Sequence, residues 1–134
     1  MTDNIKQKEK IKTKKIEKTR SDSILNAVRT AAKIADEKKA DYVKILDMRS
    51  RLIITDYFII ISAKNTRLTR RIEEEICFNL KKEKLYPKNI TGANEGNWVL
   101  VDYDDFVIHV FTEEFRQFYD LERLWKDSEE IKWK

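Results

Sequence analysis

The segment over residues 106–111 constrains the fold of this chain more than any other part of the sequence. It is apolar at every position except His109, so both faces of the extended segment are apolar. A strand of that kind lies in the interior of a sheet and is covered from both sides. Residues 42–46 and 57–62 are short runs rich in β-branched and aromatic residues, and they also predict strands. The sequence therefore predicts a sheet with helices packed on it.

Two amphipathic segments can supply those helices. Ser21 or Asp22 can cap a helix that runs to about residue 38. Its apolar stripe consists of Ile24, Val28, Ala31, Ala32 and Ala35. A second helix is predicted over residues 66–84, where apolar side chains recur every four positions before Pro87 ends the helix. These side chains are Leu68, Ile72, Ile76 and Leu80.

The remaining elements follow from glycine placement and capping. Gly92 and Gly96, the only two glycines, bracket a loop between extended segments and precede a predicted strand over residues 98–102. That strand and residues 106–111 form a predicted hairpin, and Thr112 begins a last helical stretch that passes through residue 125. The order α, β, β, α, β, β, β, α mixes helices and strands, so we predict an α/β fold with a single mixed sheet packed by helices.

The positive charge of the chain is concentrated at its start. Residues 1–20 hold eight of the 28 Lys and Arg residues but three of the 24 acids, which leaves the rest nearly neutral. They show no sustained apolar spacing, so we predict a disordered basic arm over residues 1–20, a folded domain over residues 21–126 and a polar tail over residues 127–134. The arm either contacts RNA phosphates or acts as a solubilising tail.

Several classes of function are disfavoured by what the sequence contains. No apolar run approaches the length of a membrane span, and the first residues do not resemble a secretory signal. One cysteine suits a reducing compartment, and the acids in the arm argue against mitochondrial import, so a cytoplasmic location is expected. One His and one Cys are too few for a zinc site, and two glycines cannot build a phosphate-binding loop. We expect no metal or cofactor, a buried Cys77 without a role, and a core or sheet-edge His109.

An acidic and aromatic cluster at residues 98–105 is the candidate site. Trp98 and Tyr103 are aromatics that a core does not obviously need, and Asp102 and Asp105 lie beside them, which favours a docking surface for a macromolecular partner. Trp98 and Asp102 are four apart in a strand and therefore share a face. Trp98 could equally be an ordinary core residue. Asp102 and Asp104 have the spacing of a two-metal nucleotidyltransferase, which leaves an enzyme as an alternative, although aspartates are also common in tight turns.

The same residues resemble the Iojap-like family, the ribosomal silencing factors. Residues 56–60 (DYFII) are similar to the family's D-Y-F-V-I strand, and residues 96–105 (GNWVLVDYDD) to its G-E-W-V-L-L-D-Y-G-D block. Residues 107–111 are similar to its V-V-V-H-V-F, and residues 116–125 to its closing R-x-F-Y-D-L-E-R-L-W. The resemblance covers about residues 22–126. Asp104 stands where the family usually has Gly, and Asn97 where it commonly has Glu.

The resemblance implies a nucleotidyltransferase-like fold without the catalytic motif, and a protein that is not an enzyme. It implies binding to the large ribosomal subunit through its ribosomal protein numbered fourteen, on the face that meets the small subunit. Subunit joining would then be blocked sterically and translation repressed; a homodimer is a further possibility. An RNA-binding protein that acts through the basic arm is another alternative. The expected contact residues are Trp98, Asp102, Tyr103, Asp105, Asp56 and Tyr57.

Overall fold

The computed structural model of the protein describes residues 2–52 and 54–134. These residues form four helices and six strands, in the order α1 (Thr2–Glu37), β1 (Tyr42–Asp47), β2 (Tyr57–Ala63), α2 (Thr66–Lys82), β3 (Asn89–Thr91), β4 (Trp98–Asp102), β5 (Phe106–Thr112), α3 (Glu113–Tyr119), α4 (Leu121–Leu124) and β6 (Glu129–Ile131). None of the described helices combines the length and the apolar character that crossing a bilayer requires.

The six strands form one sheet in the order β3-β4-β5-β2-β1-β6. The central pair, β2 and β5, is parallel, and the other neighbouring pairs are antiparallel. Both central strands are buried along most of their length, because helices pack on both faces of the sheet. The predictions of a single mixed sheet and of an interior strand at residues 106–111 are therefore confirmed.

One face of the sheet, which we call the helical face, is covered by α1 and α2. Both predicted apolar stripes lie against it, and alanines in α1 let that helix pack closely on the strands. The residues that the two helices bury there are Val28, Ala31, Ala32, Ala35, Ile72, Ile76 and Leu80. Asn65 caps α2 by accepting a hydrogen bond from the Leu68 amide at 2.9 Å.

The opposite face, which we call the open face, carries α3 and α4 over part of its surface. Thr112 caps α3 as predicted, since its hydroxyl oxygen accepts a hydrogen bond from the Phe115 amide at 3.4 Å. The predicted last helical stretch is divided in two, because Asp120 adopts a left-handed conformation with φ of 45°. The second, smaller core lies under these short helices and contains Leu46, Met48, Ile60 and Phe111.

The first helix begins at Thr2 and not at Ser21. The structure thus makes residues 2–20 helical, which differs from the predicted disordered arm. Lys, Glu and Gln are good helix formers, and no Gly or Pro interrupts residues 2–37. Helix extension from a packed segment also avoids the cost of nucleation, so an apolar stripe is not needed for these residues to be helical.

The C-terminal end also differs from the prediction of a polar tail over residues 127–134. β6 pairs antiparallel with β1, where Ile131 lies opposite Ile45. Ile131 and Trp133 pack against the core of the helical face, and Arg29 Nε of α1 donates a hydrogen bond to the Lys132 carbonyl oxygen at 3.0 Å. These residues are part of the folded domain.

Candidate functional site

Strand β4 divides its side chains between the two faces of the sheet. Val99 and Val101 are buried in the core of the helical face. Trp98, Leu100 and Asp102 are half-buried on the open face. The prediction that Trp98 and Asp102 share a face is therefore confirmed.

Tyr103 lies on the other side of the sheet. Its side chain is 8% exposed, belongs to the core of the helical face and stacks on Phe106 with a centroid distance of 4.8 Å. Burial raises its pKa well above the ordinary range. The prediction of an exposed Tyr103 is wrong, because the alternation of β4 continues one residue past Asp102 and directs the ring to the helical face.

Tyr57, another predicted contact residue, is also a core residue. It is 2% exposed on the helical face, and the Arg49 guanidinium lies 5.5 Å from the centre of its ring. Its burial contradicts a direct contact of this side chain with a partner in the folded state.

Asp56 and Asp105 meet each other, but beside α1. The Asp56 amide donates a hydrogen bond to the Asp105 carbonyl oxygen at 2.8 Å, and Arg20 Nη2 donates to the Asp105 carboxylate at 3.0 Å. Burial, and after it the Asp105 charge, raises the pKa of Asp56. The Asp105 carboxylate is thus paired with α1 and not with the strand that carries Trp98 and Asp102.

Asp102 has a structural role within the hairpin turn. Its carboxylate oxygen accepts a hydrogen bond from the Asp104 amide at 2.7 Å. Asp104 has a φ of 73°, so the turn keeps a glycine-like conformation although an aspartate occupies it. Among residues 2–52 and 54–134, no group of three or more His, Cys, Asp or Glu side chains is placed to hold a metal ion.

Trp98 is half-buried, so it has features of both a core residue and a docking-surface residue. Its ring stacks on Phe111 at 5.0 Å and contacts Tyr119 of α3 at 4.7 Å between centroids. Its indole Nε1–H donates a hydrogen bond to Nδ1 of His109 at 3.1 Å. One side of the indole is thus fixed by the protein while the rest remains accessible.

His109 is a buried residue of β5, as the sequence predicted. It is 5% exposed, and the edge of the Phe58 ring lies against it at 4.8 Å. Burial lowers its pKa to about 4, so the imidazole is neutral at pH 7. Since Nδ1 accepts the Trp98 hydrogen bond, the proton of the neutral ring is on Nε2.

Cys77 agrees with the expectation of a packing residue. It is partly buried against the core of the helical face, and its Sγ lies 3.6 Å from Glu73 Oε1. Burial raises the pKa of the thiol to about 11, so the unreactive protonated form predominates at neutral pH.

The sequence did not reveal that the exposed aromatic surface continues from β4 onto α3. Phe118 is 80% exposed and Tyr119 is 43% exposed, and their rings contact each other at 5.2 Å. We call Trp98, Leu100, Asp102, Phe118 and Tyr119 the open-face patch. No local signal indicated this exposure, because Phe115, Phe118 and Tyr119 have the i, i+3, i+4 spacing that is typical of a buried helix face.

A salt-bridge network anchors α3 and α4 to the sheet beside the open-face patch. Arg116 contacts Glu113 at 2.6 Å and Glu122 at 3.0 Å, and its guanidinium lies 4.0 Å from the centre of the Tyr42 ring. Ser62 of β2 donates a hydrogen bond to Glu113 at 2.6 Å. Hydrogen bonds from Arg116 chiefly lower the pKa of Glu113, to about 2. These contacts fix the helix that places Tyr119 against Trp98.

Known proteins are similar to this chain in sequence and in fold. The sequence model of a family described as "Ribosomal silencing factor during starvation" matches residues 21–134. The ribosomal silencing factor RsfS of Bacillus subtilis is 35% identical over 101 residues, which cover 75% of this chain and 86% of that protein.

Two solved structures are similar in fold as well as in sequence. A crystal structure of a Chromobacterium violaceum protein has a TM-score of 0.74 and 25% identity, and the match covers 77% of this chain and 86% of that one. A crystal structure of a Bacillus halodurans protein has a TM-score of 0.70 and 28% identity, with 83% and 98% covered. Because the family model spans most of the sequence, this chain belongs to the RsfS family of ribosomal silencing factors.

Proposed function

We propose that this protein represses translation by binding the large ribosomal subunit through its ribosomal protein numbered fourteen. The bound domain occupies space that the small subunit needs, so the subunits do not join. Family membership supports the ribosomal role, and the open-face patch is the observation that carries the choice of contact surface. The proposed action is binding alone, with no bond made or broken, and its site is the cytoplasm.

The open-face patch has the composition of a protein-binding surface. Phe118 and Tyr119 present large aromatic area to solvent beside the half-buried Trp98, and such side chains dominate the energy of protein interfaces. Trp98 and Tyr119 pack against each other, and the Arg116 network fixes the helix that carries Tyr119, which lowers the entropy lost on binding. An exposed aromatic group of this size is typical of an interaction site.

Charge at the edge of the patch favours a partner with basic residues. Asp102 lies at the end of β4 on the same face as Trp98, and Asp104 follows it as an exposed carboxylate. Opposite charges across an interface speed association and fix its orientation. A basic surface of the partner would therefore meet this end of the patch while apolar residues meet Trp98 and Tyr119.

We also propose that the basic half of α1 makes an auxiliary contact with ribosomal RNA. Lys10, Lys15 and Lys18 are exposed on this helix. Neutralising phosphates with lysines releases counterions, so this part of the affinity falls as salt rises. Arg20 differs from these lysines because it is paired with Asp105.

The test is whether the purified protein comigrates with isolated large subunits and prevents their association with small subunits. Tyr119→Ala removes a patch side chain and is expected to weaken both effects. Phe78→Ala is a matched control, because Phe78 is a 58% exposed aromatic residue of α2, on the opposite side of the sheet. If the parent does not bind, or if Tyr119→Ala and Phe78→Ala both bind like the parent, the proposed surface is wrong.

A further inference from the structure

The Trp98 indole packs against Phe111 and Tyr119 and donates a hydrogen bond to His109. In the hairpin register, Trp98 lies opposite Phe111, whereas Leu100 lies opposite His109. The hydrogen bond from Trp98 Nε1 to His109 Nδ1 at 3.1 Å therefore runs diagonally across the strand pair. Packing against Phe111 and Tyr119 restricts the ring, but it is less directional than a hydrogen bond. The hydrogen bond selects the direction toward His109.

His109 is well placed to act as a fixed acceptor. It lies on the central strand β5 beside Ile60 of β2 and Leu100 of β4, and Phe58 packs against its ring. With 5% of its surface exposed, it has little freedom to rotate. The neutral ring offers Nδ1 as a lone-pair acceptor, which an imidazolium would not.

The imidazole is not the side chain that this position would need for stability alone. Among the described residues, no protein atom accepts a hydrogen bond from the buried Nε2. A buried donor without a partner destabilises a fold, whereas an apolar side chain of similar size avoids that loss. A residue that lowers stability at a buried position is typical of a functional site.

We propose that His109 is a positioning residue of the open-face patch: it holds the Trp98 indole in the orientation that the partner contacts. The inference rests on the proposed function, because it names the group that prepares the same surface for binding. Without the acceptor the indole samples more than one orientation, and the complex must restrict it again. Ordering one large side chain weakens binding by roughly three- to tenfold.

The test uses the full chain and two substitutions of similar size. His109→Leu removes the acceptor, and His109→Asn keeps an amide oxygen near the position of Nδ1. We expect His109→Leu to bind large subunits about three- to tenfold more weakly and to shift the indole N–H signal of Trp98 in a nitrogen-correlated NMR spectrum. His109→Asn should restore most of both properties. Trp98→Phe identifies the Trp98 signal among the three tryptophans.

A double-mutant cycle separates positioning from a general loss of stability. In a Trp98→Phe background no indole N–H exists, so His109→Leu should cause no further loss of affinity. Ile60→Val is the control, because this neighbour is fully buried beside His109 and the substitution lowers stability without touching the hydrogen bond. It should lower the melting temperature and leave affinity unchanged.

The possible outcomes are distinguishable. A folded His109→Leu variant that binds like the parent, or equal losses in both backgrounds, overturns the positioning role. If the parent itself fails to bind large subunits, the proposed function fails, while an unshifted Trp98 signal in His109→Leu would separately overturn the inference. Should His109→Leu not fold, His109→Met replaces it in every comparison.

Discussion

The two faces of the sheet are covered in different ways, although they share the same strands. The helical face is covered by the 17-residue α2 and by α1 from Ile24 onward, and alanines of α1 are buried there. The open face carries helices of seven and four residues, which leave Trp98, Phe118 and Tyr119 partly or largely exposed. Stability is thus concentrated on one face, and the surface available for recognition on the other.

The largest effect that tests this comparison is expected at Tyr103, which the sequence placed in the docking surface. Tyr103→Ala removes a buried aromatic ring from the helical face and should lower the free energy of unfolding by about 3–5 kcal/mol. Tyr86→Ala is the control, since Tyr86 is 63% exposed and its loss should change stability by less than ~0.5 kcal/mol. Chemical denaturation of the two variants measures the difference. If Tyr103→Ala were as stable as the parent but had lost affinity for large subunits, our assignment of Tyr103 to the core and not to the binding surface would be wrong.

Trp98→Ala should show the opposite balance between folding and binding. We expect a loss of about 2–4 kcal/mol in binding to large subunits, roughly thirty- to a thousand-fold in affinity. The loss of stability should be smaller than for Tyr103→Ala, because Trp98 is only half-buried. Melting temperature and affinity are measured on one preparation. Parent-like affinity in a well-folded sample would remove Trp98 from the interface.

The two faces should also respond to pH in opposite directions. On the open face, Arg116 lowers the pKa of Glu113 to about 2, so its contribution to stability is present above the ordinary value of 4.5 and is lost as pH falls toward 2. On the helical face, burial raises the pKa of Glu73, so its contribution is present below 4.5 and is lost as pH rises through the raised pKa.

Substitution of each glutamate by glutamine tests the direction of its effect on stability. At pH 7, Glu113→Gln should lower stability by about 1 kcal/mol or less, because the side chain is partly exposed, and Glu73→Gln should raise stability. Thermal unfolding is measured from pH 3 to 8. As pH falls, the melting temperature of Glu113→Gln should decrease less than that of the parent. At pH 4, Glu73→Gln should be no more stable than the parent. Glu95→Gln, at an exposed position in the loop before β4, is the control. Equal pH profiles for all three variants would contradict the opposite pH responses predicted for Glu113 and Glu73.

The smallest effect is expected from deletion of residues 1–20. The deletion removes the Arg20–Asp105 pair, whose side chains are 70% and 36% exposed, and such a pair contributes about 0–1 kcal/mol. The melting temperature should change by about one or two degrees. If this segment contacts ribosomal RNA, affinity for large subunits should fall at low salt and converge with that of the full chain at high salt. A large drop in melting temperature would show that the first half of α1 packs on the domain.

Much of the fold could be predicted because its strands and helices carry strong periodic signals. The apolar residues of α2 recur every four positions and they are the ones that the helix buries. The strand at residues 98–102 was bounded by glycines on one side and aspartates on the other, and β4 has the same limits. β6 was missed because three residues that include Glu129 and Glu130 give no strand signal without their partner β1.

The site was less predictable, because it depends on which face each side chain meets. Alternation along β4 is sufficient to separate Trp98 from Tyr103, and the prediction of an exposed Tyr103 required the hairpin turn to direct its side chain to the face of Trp98. The contribution of Phe118 and Tyr119 depends on the left-handed Asp120, which ends α3 and allows Glu122 to reach Arg116. No local pattern specifies that tertiary contact.

The short strand β6 has a consequence for self-association. It occupies the outer edge of β1 and pairs with the backbone of Ile45, Leu46 and Asp47. An uncovered strand edge offers free amides and carbonyls to any other extended chain, which is a route to aggregation. With β6 in place, β6 itself is the outer edge of the sheet, and Glu129 and Glu130 give it negative charge. Charge on an edge strand discourages further strands from adding. The last residues of the chain thus end the sheet, and a truncation after residue 126 would reopen it to strand-by-strand growth.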